Sequence, residues 1–133
     1  MIGVDSNVLL RLVLADNPHQ HKAAQAFIEA RSATDPVYIS DMVIAEFMWV
    51  LQRTYKLERA AIVGLVAGFM DTDDAVFADR STLSAFVEEA RSNTKAGLAD
   101  LFVALSGKTH GCGHTVTFDK HAARTVDGME LLK

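Results

Sequence analysis

Two acids stand inside apolar runs of this chain. Glu46 interrupts Met42 to Leu51, where every other residue is apolar, and Asp100 does likewise in Gly97-Leu98-Ala99-Asp100-Leu101-Phe102-Val103-Ala104-Leu105. A carboxylate on the buried side of a helix costs several kcal/mol unless it is paired or binds metal. No Lys or Arg stands three or four residues from either acid, so local ion pairs do not account for them. Two more acids, Asp5 and Asp119, each follow a short β-compatible run, Ile2-Gly3-Val4 and Thr115-Val116-Thr117-Phe118. Singly, these acids have plainer readings: Asp5 and Asp119 as helix caps, Glu46 as a lone acid on a solvated strip. Jointly, Asp5, Glu46, Asp100 and Asp119 point to one site, with a hard divalent cation, Mg²⁺ or Mn²⁺, as the partner that oxygen-only donors suit. All four are expected around that one cation.

Such convergence needs a fold that carries distant residues to one edge. Apolar stretches of two periods alternate along the chain. Ile2–Val4 reads as a strand, and Asp5-Ser6-Asn7 as capping residues of a helix that continues through Val8 to Leu14. Asn17-Pro18 opens a second helix, which Asp35-Pro36 has ended. Strand Val37–Ser40 leads, with Ser40 or Asp41 as cap, into a helix running to about Tyr55, and Leu57–Met70 forms another. After the turn Asp71–Asp74, the pattern gives strand Ala75–Ala78, helix Ser81–Ser92, turn Asn93–Gly97, helix Leu98–Thr109, strand Thr115–Phe118, helix Lys120–Val126 and strand Met129–Leu132. Strands separated by helices pair in parallel, and the expected fold is therefore α/β: a three-layer α/β/α sandwich around a central parallel sheet of four to five strands. In such sheets ligands bind beyond the carboxyl ends of the strands, where Asp5 and Asp119 fall.

Composition narrows the class. The chain has 133 residues, 50% of them hydrophobic, and a net charge of −4. That supports a single folded domain spanning residues 1–133 and excludes disorder. The longest apolar run, Ala60 to Met70, is shorter than the ~18 to 20 residues needed to cross a bilayer and contains Gly64 and Gly68. Met1 to Asp5 lacks a basic start and an apolar stretch, and the single Cys112 forms no internal disulfide, so a soluble, cytoplasmic protein is expected.

The motifs carry a resemblance to a known family. Ile2-Gly3-Val4-Asp5-Ser6-Asn7-Val8-Leu9 resembles the first motif of PIN-domain nucleases, Ile39-Ser40 through Glu46 the second, Gly97-Leu98-Ala99-Asp100 the third and Thr117-Phe118-Asp119-Lys120 the fourth. Within that family the chain looks most like VapC-type toxins of bacterial toxin-antitoxin pairs. The resemblance implies a divalent-metal-dependent endoribonuclease whose catalytic acids are Asp5, Glu46, Asp100 and Asp119, supported by hydrogen bonds from Ser6, Asn7 and Thr117. It also implies a homodimer and a cognate antitoxin that lays a helix in an apolar groove. Where relatives follow the last motif with a further acid and an aromatic, this chain has His121 and Ala122. Hydrolysis of an anionic phosphodiester then needs a cation to neutralise the phosphoryl oxygens and to generate hydroxide. Either Asp100 or Glu46 would orient the attacking water.

An acidic protein must still hold polyanionic RNA, and Lys120 and Arg124, beside Asp119 on one helical face, are the best-placed cations. Two other classes compete. Val4-Asp5-Ser6-Asn7-Val8 approaches the motif of haloacid-dehalogenase-type phosphatases, with Asp5 as nucleophile but Asn7 where an acid is required. A PIN-like fold that only binds, without turnover, is the other alternative. His110-Gly111-Cys112-Gly113-His114 offers too few thiolates for a zinc site and reads as a glycine loop entering the fourth strand. Gly64 and Gly68 allow another backbone to come close, from within the chain or from a partner. Phe47, Met48 and Trp49 read as core.

Overall fold

The computed structural model describes residues 1–133, which form two compact units, Met1–Asp79 and Arg80–Lys133. In the first, the elements run β1 (Ile2–Gly3), α1 (Ser6–Val13), α2 (Pro18–Glu29), β2 (Val37–Ile39), α3 (Asp41–Arg53), α4 (Arg59–Met70) and β3 (Ala75–Phe77). The second holds α5 (Arg80–Ser92), α6 (Leu98–Thr109), β4 (Thr115–Thr117), α7 (Lys120–Thr125) and β5 (Met129–Leu131). No helix is long and apolar enough to cross a membrane.

Helix starts follow local chemistry. Asn17 caps α2 by accepting the Gln20 N–H, with Pro18 at the first helical position. Ser40 caps α3, its Oγ accepting from Val43 N at 3.2 Å. Asp5 and Asp119 cap α1 and α7.

All five expected strands are present and every pairing is parallel, but they form a three-stranded sheet of order β1-β2-β3 and a two-stranded sheet β4-β5. The expectation of one sheet with four to five strands is therefore corrected. Hydrophobic periodicity locates a strand but does not say which strands pair. Ile2 and Val4 donate their N–H groups to the Pro36 and Tyr38 carbonyls, which ties β1 to β2.

In the first unit, Val37 and Ile39 of β2 are buried with Ile44, Phe47 and Leu51 of α3 and Ile62 and Val66 of α4, and the Phe47 and Phe69 rings lie 5.4 Å apart. In the second, α5 packs on α6 through Leu83, Phe86, Leu101 and Phe102, with the Phe86 and Phe102 rings 5.3 Å apart. The α6–β4 connection turns at Gly111, whose φ of +94° is a conformation that side chains oppose. The Gly64 and Gly68 faces of α4 meet nothing within 4 Å, so these glycines serve no close packing inside the chain.

Helix α3 departs from the sequence reading in one respect. Phe47 and Met48 are core, but Trp49 is 55% exposed and Met42 83% exposed. Met42, Ala45, Glu46 and Trp49 share the exposed face, at the spacing of one helical stripe.

Candidate functional site

In the first unit Asp5 sits two residues beyond β1, in extended backbone with φ −85° and ψ 159°, as the N-cap of α1. Its Oδ1 accepts the Ser6 N–H at 2.7 Å and its Oδ2 accepts from Asn7 Nδ2 at 3.2 Å. Ser6 itself is fully buried. A hydroxyl has one proton to donate, and the geometry gives it to Glu46 Oε1 at 2.5 Å while Asp5 Oδ1 stands 3.4 Å from the same Oγ. One serine therefore links a strand-end acid to an acid on α3, across 40 positions of sequence. Neither carboxylate has an ion-pair partner in this unit, so their charges are met only by neutral donors.

The second unit positions the other two acids. Asp100 lies in the first turn of α6, half-buried, where the unpaired N–H groups of the helix start favour negative charge. The preceding N-cap is Gly97, and a Cβ there would lie 3.0 Å from Asp100 Oδ2. The glycine thus leaves the space that the carboxylate occupies. Asp119 caps α7, accepting the Ala122 N–H at 3.0 Å, and its own N–H is held by Thr117 Oγ1 at 3.0 Å. The Ala122 N–H bond, aided by the His121 N–H and by the charges of His121 and Arg124, holds this carboxyl below the ordinary carboxylate range.

Burial does not follow the sequence argument. Glu46 is exposed and Asp100 half-buried, so neither is the buried, unpaired acid that its apolar neighbours suggested. The apolar neighbours misled because several of them, Met42 and Trp49 in α3 and Val103 in α6, are exposed as well. The expected supports are largely present: Ser6 and Asn7 bond the acids directly, and Thr117 acts through the Asp119 backbone. Sequence reading had Gly97 only as the first residue of the third motif; the space it leaves for the Asp100 side chain is a matter of side-chain placement that spacing does not reveal.

The donor set suits a hard cation, since every candidate ligand is a carboxylate oxygen. Within each unit, no group of three or more His, Cys, Asp or Glu side chains forms a metal cage by itself. In the first unit, Asp5 and Glu46 supply two anionic groups around one hydroxyl. In the second, Lys120 and Arg124 line a surface depression with Lys133 and Glu130, which places positive charge one residue from Asp119. The His110–His114 loop does not form a zinc cage: Cys112 is exposed and His114 Nε2 faces Glu130 Oε2 at 3.6 Å. Asn7 gives its amide to Asp5, so the general acid that the phosphatase alternative requires is absent from that position.

Compared with known families, residues 2–128 match the family model of the PIN domain. No curated protein matches the chain significantly.

Proposed function

Because the chain belongs to the PIN domain family, whose members are in general metal-dependent nucleases, we propose that it is a Mg²⁺- or Mn²⁺-dependent endoribonuclease and the toxin of a VapC-type toxin-antitoxin pair. In this reading Asp5, Glu46, Asp100 and Asp119 are the catalytic and metal-holding acids. The observation that carries it is the Ser6 hydroxyl between Glu46 Oε1 and Asp5 Oδ1, because capping α1 needs only Asp5 and gives Glu46 no reason to be there. The family match runs through both compact units, which supports reading residues 1–133 as one domain.

A divalent cation held by these oxygens would neutralise charge on the phosphoryl group and lower the pKa of a bound water. The chain's own residues do the rest. Ser6 orients Glu46, and Asn7 with the Ser6 N–H fixes Asp5. Gly97 leaves Asp100 its place, and the Ala122 N–H with the Thr117 hydroxyl fixes Asp119. Either Asp100 or Glu46 accepts the proton of the attacking water, and Lys120 and Arg124 hold phosphates of the RNA. The toxin role rests on the motif resemblance and carries with it a cytoplasmic location and a cognate antitoxin. A homodimer accords with the open faces of Gly64 and Gly68.

The test is cleavage of labelled RNA by the purified protein with and without Mg²⁺ or Mn²⁺, together with Asp5→Asn. Metal-dependent cleavage that Asp5→Asn lowers by at least about a hundredfold is expected. Equal cleavage by the variant would overturn the site assignment. Growth arrest on expression, relieved by the product of a neighbouring reading frame, checks the toxin role.

A further inference from the structure

Beside Asp5 the first unit opens a cleft of about 410 Å³ along α1 and α2. Val4, Val8, Ala23 and Phe27 give it apolar walls, while Asn7, Arg11 and Gln20 bring polar groups to it, and Asp5 is itself one of its lining residues. We propose that this cleft holds one unpaired nucleobase of the RNA strand, next to the phosphate that is cut. The proposal rests on the nuclease reading above and adds to it a site of sequence selection.

Size admits a base, since the cleft lies within the roughly 300–1,000 Å³ that ligand pockets span. Its chemistry points to one. Phe27 lines the cleft, with Arg31 Cζ over one face of its ring at 4.7 Å from the centroid, and aromatic side chains are the usual platforms on which bases stack. The polar groups are fixed and still have free valence. Gln20 Oε1 accepts from Arg11 Nε at 2.7 Å, which leaves the Gln20 amide N–H groups to donate to a ligand. Asn7 Nδ2 donates to Asp5 Oδ2, which leaves Asn7 Oδ1 as an acceptor. Arg11 is in turn anchored by Asp16 at 2.8 Å, and Asp16 accepts from the Tyr55 hydroxyl at 3.0 Å. Apolar faces with a donor and an acceptor at the rim match a splayed base, which has a π-face and a hydrogen-bonding edge.

The experiment digests a single-stranded RNA pool, randomised around its centre, and reads the base frequencies flanking each cut. The proteins compared are the parent, Phe27→Ala and the cleft-filling Ala23→Leu. A base preference at one position beside the cut is expected in the parent, reduced roughly tenfold in both variants, with the metal dependence of cleavage unchanged. Cleavage by all three proteins with one unchanged preference would overturn base docking and leave the nuclease reading intact. A second measurement separates the two claims if the parent cuts no RNA. The four nucleoside monophosphates are titrated into the parent and Ala23→Leu by NMR. Shifts at Ala23, Ala24 and Phe27 that Ala23→Leu abolishes support the cleft as a base site. No shift, or shifts produced only by an apolar peptide, overturn it.

Discussion

Ser6 carries more of the candidate site than its size suggests. It is fully buried, its N–H serves Asp5 and its hydroxyl serves Glu46. Ser6→Ala takes the hydroxyl donor from Glu46 while the backbone N–H to Asp5 remains, and groups that orient a metal's ligands are typically worth 10–100-fold in metal affinity. The Mg²⁺ concentration for half-maximal RNA cleavage should therefore rise at least roughly tenfold in Ser6→Ala, read from a metal titration. Gly97→Ala makes a complementary test. The backbone at 97 lies at φ −64° and ψ 143°, which alanine adopts without strain, so the variant should fold as the parent does. The added Cβ, however, would meet Asp100 Oδ2 at 3.0 Å and move it. Cleavage should fall severalfold while the denaturation midpoint does not, and equal activity would remove Gly97 from the site. The placement of Asp5 and Asp119 as helix caps just beyond a strand was legible in sequence, because each follows a short β-compatible run and opens a helix. Glu46 was legible as an oddity for a mistaken reason: its apolar neighbours share its exposed face, and only coordinates show that stripe.

At the scale of elements, helices were easier to read than sheets. Helix α6 runs from Leu98 to Thr109 as its periodicity predicts, and α2 begins at Pro18 after its Asn17 cap. These signals are local, carried by residues within a turn of each other. The division of strands into sets of three and two was not legible, because hydrophobic periodicity marks a strand and not its pairing partner. The short helix α7 yields a pH prediction. Asp119 caps it, and the Ala122 N–H bond holds this carboxyl below its ordinary value of 3.8. A depressed carboxyl contributes stability that is present above the unfolded-state value and is lost as pH falls through the folded one. The stability gap between the parent and Asp119→Ala should therefore stay constant from neutral pH down to the ordinary carboxylate range and close only below it. Denaturant titrations at a series of pH values measure it.

For the whole molecule, net charge and family together set the expectation. The chain carries −4 overall yet belongs to a family of nucleases that act on RNA. A cation that binds only the folded chain stabilises it in proportion to the logarithm of its concentration. At about 100 times its Kd, Mg²⁺ should raise the melting temperature on the order of 10 °C, and Asp5→Asn should abolish most of that rise. An equal rise in the variant would place the ion elsewhere. Calorimetric scans with EDTA and with Mg²⁺ decide. The exposed stripe of α3 has one further consequence. The chain's sole tryptophan, Trp49, lies three residues from Glu46 with the Arg53 guanidinium 5.7 Å from its ring. An indole so placed is a built-in fluorophore: its emission reports local polarity, and paramagnetic Mn²⁺ near Glu46 would quench it where diamagnetic Mg²⁺ would not, so occupancy becomes visible without a label.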